Sequence, residues 1–364
     1  MARILHLLTL MKTRTVFFAL LTGAILLGAC LPIGNSAANL SQSTPTPTPF
    51  LPDFEVGAAP DVPVVNVQPA PEQAPPLPVQ KGMLPANVEE FPAPTAFSDL
   101  ALPNPVGRFV QPEGQVNILL LGSDQRPDDG GFRTDVILLL TLYPDGKKAS
   151  LTSFPRDLYV YVPGWRMDRI NGAFPRGGME MMADTMEYNF GVRPDYYVLV
   201  NFWDFETVVD ALGGINVQVA QALSDHRDGF GDYYVPAGSV AMDGETTLWY
   251  VRSRGTSSDF ERTRREQEVL VALFDRLISL DAISKAPELY DQYKQTVTTD
   301  LGIADVLGLL PLAADIGAGE GEIAHYAIGA DDVDPYTTSG GGSVLLPDLE
   351  AVLEILRQAL NIAE

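Results

Sequence analysis

Cysteine, histidine and positive charge are all scarce in this chain of 364 residues. Cys30 stands alone, which excludes a disulfide framework and any multi-cysteine zinc or iron–sulfur centre. The histidines are His6, His226 and His325, too few to offer much to a Ser-His or Cys-His hydrolase. Ser123 also lacks the Gly-x-Ser-x-Gly frame of a nucleophile elbow. Lysine and arginine number 24 against 47 acidic residues, a formal net charge of −23. A surface this acidic repels phosphate backbones at long range and argues against a nucleic-acid partner. Any anionic ligand must be held by a local basic cluster that works against the global field. What the chain does have is 46% hydrophobic residues, enough for a real core, and length for one large domain or two ordinary ones.

Three compositional zones follow one another. Arg3, Lys12 and Arg14 precede an apolar stretch, Thr15 to Ala29, the charge layout of an export signal. It ends Leu27-Gly28-Ala29-Cys30, which resembles a lipoprotein cleavage box, so residues 1–29 read as a signal peptide and Cys30 as the lipidated residue. An uncleaved transmembrane anchor from Thr15 to Ile33 is the alternative. Either way the protein is expected outside the cytoplasm, tethered to a membrane. Residues 31–110 then hold 17 of the 29 prolines and only Lys81 and Arg108 as basic residues. With Thr44-Pro-Thr-Pro-Thr-Pro49 inside it, the stretch 30–112 reads as a Pro-rich tether, free to pack locally near 95–110. Residues 113–364 read as one domain.

Apolar runs bounded by turn residues predict strands at Val116 to Gly122, Asp135 to Tyr143, Ala149 to Phe154, Leu158 to Val162, Tyr196 to Asn201 and Ile215 to Val219. Helical patterns cover Gly178 to Asn189, Trp203 to Leu212, Asp259 to Ser279 and Asp348 to Ala359. Alternation of the two predicts an α/β domain with a central mixed sheet flanked by helices. The region 282–345 carries no clear pattern.

The chemistry lies in where arginines and aspartates fall. Asp124 follows a buried strand and its terminal glycine, a common place for ligand groups in open α/β sheets. Arg126 stands two residues on, and Arg133 and Asp135 flank the next strand start. Arg156-Asp157 follows the third strand. Arg252 and Arg254, read as extended, project to one face. On the helix from Asp259, itself a fitting N-cap, the apolar stripe Val269, Leu270, Leu273, Phe274, Leu277 extends backward to Arg262 and Arg265, with Gln267 nearby. Taken singly, each arginine fits a surface ion pair, and Arg262 to Arg265 fit a solvated turn interleaved with Glu261 and Glu266. Together, in so acidic a chain, they call for an anion. Guanidinium forks match phosphate oxygens, and carboxylates among them would need a bridging cation, most simply Mg²⁺.

At these residues the sequence resembles the LytR-CpsA-Psr family of bacterial cell-wall enzymes. The resemblance covers about residues 115–280. It rests on Asn117-Ile-Leu-Leu-Leu-Gly-Ser-Asp-Gln-Arg126, Arg133-Thr-Asp135, Ser153-Phe-Pro-Arg-Asp157, Arg169-Ile-Asn171, Tyr196 to Phe202, Val209 to Gly214, Met242 to Glu245, Tyr250-Val-Arg-Ser-Arg254 and Asp259 through Gln267. It implies a phosphotransferase that moves a glycopolymer from a polyprenyl-pyrophosphate carrier to the 6-hydroxyl of muramic acid in peptidoglycan, on an α/β fold with an apolar groove for the lipid. Carried over by position, Asp124 and Asp135 match the family's metal-binding aspartates. Arg133, Arg156, Arg252 and Arg254 match its pyrophosphate-binding arginines, Gln267 its site glutamine, and Arg262 and Arg265 neighbouring arginines. Arg169 stands where the family often has lysine. A hydrolase that uses water as acceptor on the same site, and a lipoprotein that binds polyprenyl phosphates without turnover, remain the alternatives.

Overall fold

The computed structural model describes residues 83–85, 87–125, 132–279 and 297–361. The signal segment, Cys30, most of the Pro-rich stretch and Arg126 lie outside the described residues. Among the described residues six strands form the central sheet: β1 (Val116–Ser123), β2 (Thr134–Tyr143), β3 (Lys148–Ser153), β4 (Tyr196–Asn201), β5 (Thr298–Thr299) and β6 (Glu322–Ala327). Their order across the sheet is β5-β4-β1-β2-β3-β6. β1 pairs antiparallel with β2 and β2 with β3, whereas β4 lies parallel to β1 and β6 parallel to β3. The sheet is therefore mixed, as expected. The C-terminal ends of β1, β3, β4 and β6 and the start of β2 come to one edge.

Helices cover both faces: α1 (Ala173–Phe190), α2 (Phe202–Ala211), α3 (Gly244–Arg252), α4 (Asp259–Ser279), α5 (Ile303–Gly317) and α6 (Leu349–Ala359). One face buries Leu119, Leu121, Ile137 and Leu139 against Met182 and Met186 of α1 and Val352, Leu353 and Leu356 of α6. The methionine stripe is thus core, as its flexible packing chemistry favours. The opposite face buries Ile118, Leu140 and Val198 against Phe274 of α4 and Val306, Leu309 and Leu312 of α5. A third cluster joins α2, α3 and α4 to the strand Ile215–Val219 through Val209, Leu212, Val217, Tyr250 and Leu273. α2 starts where Asn201 accepts the Asp204 N–H at 2.9 Å, and ends at Gly213 with φ +72°. α1 begins five residues before its apolar pattern does and bends at Gly177 and Gly178. The region without a readable pattern supplies α5, β6 and the hairpin of Val333–Thr337 with Ser343–Pro347; its residues 280–296 lie outside the described residues.

The boundary drawn at 112/113 is corrected. Met83, Val106 and Phe109 are buried in the same core as α1 and α6. The backbone joins too: Val106 N–H donates to Tyr188 O at 2.9 Å, Phe109 N–H to Gly191 O at 2.9 Å, and Thr95 N–H to Trp165 O at 3.0 Å. Tyr161 and Tyr188 hydroxyls donate to Pro92 O and Pro103 O at 2.8 and 2.7 Å. Proline does not prevent this packing, because its carbonyl still accepts. A chain that begins at Val110 is therefore expected to lose several kcal/mol, since burying one such side chain stabilises by about 1.5–3 kcal/mol. Its melting temperature should fall by about 10 °C or more relative to a chain that begins before Met83. Equal melting temperatures would return residues 83–110 to the tether.

Candidate functional site

The site grows from an irregularity in the sheet. β1 and β2 pair in register until Gly122 stands opposite Val136, and the next pair is Ser123 opposite Thr134. Asp135 is the extra residue of a β-bulge, a device that turns a side chain out of the pleat. Its Oδ1 accepts from Arg156 Nη1 at 2.8 Å. Beside it, Asp124 Oδ1 accepts the Arg133 N–H at 2.6 Å, and Asp124 N–H returns a bond to Arg133 O at 3.2 Å. Gly122 allows the two strands to close here, because a Cβ on it would meet Val136 Cβ at 2.9 Å. Gly122→Ala should accordingly push Val136 and destabilise by about 1–3 kcal/mol, read as a shift in the urea midpoint.

Arginines and carboxylates alternate around that bulge. Arg156 Nε lies 3.5 Å from Asp157 Oδ2 and 3.4 Å from Asp259 Oδ2. Arg169 Nε lies 3.0 Å from Asp157 Oδ1, and its Nη2 donates to Ser343 O at 2.7 Å. Arg262 Nη1 lies 3.2 Å from Asp259 Oδ1, and Arg262 Nε 3.3 Å from Glu266 Oε1. Burial works against the Arg156 charge, but Asp135, Asp157 and Asp259 more than offset it and raise its pKa. Yet Arg156 Nε, Arg169 Nε, and Arg262 Nε and Nη1 are buried without a hydrogen bond of good geometry. These guanidinium groups are neutralised by charge without being satisfied in direction, which leaves donors for an incoming anion.

The remaining candidates divide. The Arg254 guanidinium makes no hydrogen bond to the described residues; partial desolvation, then the like charges of Arg262 and Arg156, lower its pKa. It therefore belongs to the cluster. Arg252 is not in an extended segment: it is the last residue of α3, exposed, with its guanidinium 4.7 Å from the centre of the Phe202 ring. The two arginines thus have different neighbours. Arg265 is 1% exposed and donates to Ser253 O at 2.6 Å and Ser257 Oγ at 2.9 Å. It holds the turn that presents Arg254. Gln267 Nε2 donates to Ser153 Oγ at 2.6 Å and to Tyr326 O at 2.8 Å, tying α4 to the ends of β3 and β6. Gln267 Oε1 also lies 3.1 Å from His325 Nδ1. Asp259 is not an N-cap. Ser258 Oγ accepts the Glu261 N–H at 3.2 Å while Glu261 Oε2 accepts the Ser258 N–H at 2.9 Å, a capping box that places Asp259 in the first turn, facing Arg156 and Arg262.

Next to the arginines lies an apolar cavity of about 120 Å³. Leu120 and Val136 from the sheet, Phe205 from α2, Leu248 from α3 and Leu270 from α4 line it, and among the lining residues only Glu266 carries a charge. Phe202 and Val251 at its wall adjoin Arg252, and Glu266 adjoins Arg262, so cavity and arginine cluster share a border. Burial pushes the Glu266 carboxyl up to about 8, partly opposed by Arg262 and reinforced by Asp259 and Asp135. Asp157 is raised as well, by burial first, with Arg156 and Arg169 opposing. The folded chain holds the Glu266 proton more tightly than the unfolded chain does. Its contribution to stability is thus present below the ordinary glutamate range and lost as pH rises toward about 8.

Asp259 and Glu266 are site members that the sequence did not single out as such. The signal for Glu266 was its place four residues after Arg262, on a helix face apolar further on. As for a cation, no group of three or more His, Cys, Asp or Glu side chains able to hold a metal occurs among the described residues. Among the described residues, Asp124 and Asp135 each engage one carboxylate oxygen only. Two carboxylates fit an ion such as Mg²⁺, whose coordination is usually completed by waters and substrate phosphates.

Fold and side chains together define an α/β protein with an arginine-rich cluster bordering an apolar cavity. The LytR_cpsA_psr family model matches residues 95–330, and the chain belongs to that family. It is 35% identical over 213 residues to the polyisoprenyl-teichoic acid–peptidoglycan teichoic acid transferase TagU of Oceanobacillus iheyensis, covering 56% of this chain and 65% of that one. It is 34% identical over 209 residues to TagT, the transferase of the same description from Bacillus subtilis, covering 55% and 64%. The match thus spans a little under two thirds of these curated relatives. Among solved structures, TagT bound to LIIa-WTA superposes with a TM-score of 0.56 at 29% identity, over 69% of this chain and 92% of that one. Bacillus subtilis TagV does so with a TM-score of 0.57 at 26% identity, over 70% and 100%.

Proposed function

We propose that this protein transfers a glycopolymer from a polyprenyl-pyrophosphate carrier to peptidoglycan in the cell envelope, and that Cys30 anchors it there as a lipoprotein. The observation that carries the reading is the border between unsatisfied arginine donors and an apolar cavity: one side suits a pyrophosphate, the other a polyprenyl chain. The names of the relatives, teichoic acid transferases, agree with it.

In this reading Arg156, Arg254 and Arg262 bind the two phosphates, and Arg133, Arg169 and Arg252 add positive charge around them. Arg265 and Gln267 hold the strand ends and the Arg254 turn in place. The acceptor hydroxyl oxygen forms a bond to the phosphorus that bears the glycan. The bond from that phosphorus to the bridging oxygen breaks, its electron pair leaves with polyprenyl phosphate, and the hydroxyl proton passes to water. Guanidinium groups, with Arg156 and Arg262 already held by their carboxylate partners, stabilise the charge that develops on the transferred phosphoryl group and the leaving phosphate. Asp124 and Asp135 would hold Mg²⁺, which would supply further charge neutralisation to the phosphates.

The test is product analysis. The purified protein is given a polyprenyl-pyrophosphate glycan, Mg²⁺ and peptidoglycan oligomers. Transfer leaves a covalent glycan–peptidoglycan product. Free glycan phosphate alone would make the protein a hydrolase, and binding without turnover would make it a carrier-lipid-binding protein.

A further inference from the structure

Glu266 takes no part in the transfer as derived above, yet it stands at the junction the substrate must cross. It is 8% exposed, on the cavity wall, with Leu120, Val136, Val269 and Leu270 among the apolar residues that share that wall. On its other side is Arg262, itself 4% exposed. The charged groups that act on it are Arg262 and Asp259 from its own helix and Asp135 from the start of β2, with Arg156 behind Asp135. From β1, β4, α2 and α3 the cavity presents only apolar side chains to it.

Arg262 serves two carboxylates at once, Asp259 and Glu266, and satisfies neither with Nε or Nη1 in good hydrogen-bond geometry. A pyrophosphate brings at least two negative charges and oxygens suited to that fork. Once it engages Arg262, it also stands beside the Glu266 carboxylate in a poorly hydrated pocket, where like charges raise each other's proton affinity. The neutral acid removes the repulsion and can donate a hydrogen bond to a phosphate oxygen. The apolar chain on the other side also favours the neutral form.

We propose that Glu266 is a positioning residue that couples pyrophosphate binding to proton uptake: the carboxylate paired with Arg262 in the empty site becomes the neutral acid when a pyrophosphate takes Arg262. This rests on the lipid-pyrophosphate reading of the site. Because burial already pushes the group up to about 8, the coupling is confined to alkaline solution. Below that pH the proton is present beforehand. Above it, affinity should fall by up to about tenfold per pH unit, the slope of one linked proton.

The experiment is titration calorimetry of the full-length protein with geranyl pyrophosphate in EDTA, at pH 7 and pH 9, in buffers of different ionisation enthalpy. Wild type is expected to take up most of one proton at pH 9 and to bind about tenfold more weakly there than Glu266→Gln, which fixes the neutral form. Glu266→Gln is expected to show no uptake at pH 9. Equal uptake in both proteins, or weaker binding by Glu266→Gln at pH 9, overturns the proposal. If the variant does not fold, the wild type decides by itself: binding without uptake at pH 9 overturns it. Absence of binding at either pH sinks the pyrophosphate reading itself, and the proton coupling with it.

Discussion

Arg254→Ala is expected to lower turnover of a polyprenyl-pyrophosphate glycan by about a hundredfold or more, the scale of losing one preorganised partner of transition-state charge. The same change should leave the melting temperature unchanged or slightly raised. The Arg254 guanidinium makes no hydrogen bond to the described residues, and the like charges of Arg262 and Arg156 outweigh the pull of Asp259 and Asp135, so its loss removes little from the empty fold. Arg254→Lys should recover activity only in part, since a point charge cannot fork onto phosphate oxygens. Steady-state kinetics with a thermal melt on each variant reads both halves. Normal turnover by Arg254→Ala would move this arginine out of the site. Arg156→Ala is a poorer probe, because it also strips the counter-charge from Asp135, Asp157 and Asp259.

Asp124→Asn is expected to fail in a different way. Among the described residues its carboxylate accepts one bond, the Arg133 N–H at 2.6 Å, and an amide oxygen can accept that bond equally well. The loop geometry should therefore survive while the negative charge goes. Turnover should drop by about a hundredfold or more and lose its response to Mg²⁺, because an amide has no charge with which to hold the ion. Arg254→Ala, by contrast, should still respond to Mg²⁺ from its lower base. A Mg²⁺ titration of both variants separates the two roles. An Asp124→Asn enzyme that retained a normal Mg²⁺ response would show that this carboxylate is not a ligand.

Much of this architecture was legible because buried strands announce themselves. Val116 to Gly122, Asp135 to Tyr143 and Tyr196 to Asn201 are apolar runs closed by turn residues, and the structure places strands there within a residue. Asp124, Arg133 and Arg156 were legible as candidates because they follow or precede those runs, and strand ends of one direction share an edge of the sheet. Other features depend on contacts that leave no local mark. The bulge at Asp135 is a relation between two strands. Arg252 looked extended because it lies two residues from Arg254, but Asp243 caps a helix that runs up to it. Asp259 and Ser258 compete for the same cap, and only the reciprocal bonds with Glu261 decide for Ser258. β6 is an edge strand paired in parallel with β3, so its sequence need not alternate sharply. Met83, Val106 and Phe109 are single anchors spaced among prolines, without a period to reveal them. Glu266 illustrates the general point: an Arg–Glu pair four apart on a helix reads as a solvated ladder, and only the cavity behind it makes it a buried, proton-holding group.

In the proposed function a carrier lipid's pyrophosphate occupies the arginine cluster and its chain the adjoining cavity. The most direct measurement is a crystal structure of this protein with a polyprenyl pyrophosphate and Mg²⁺. The expected result is phosphate oxygens on Arg156, Arg254 and Arg262, Mg²⁺ held by Asp124 and Asp135, and the first isoprene units between Leu120, Phe205, Leu248 and Leu270. Phosphates bound elsewhere, or a chain that leaves this cavity empty while the arginines keep their carboxylate partners, would contradict it.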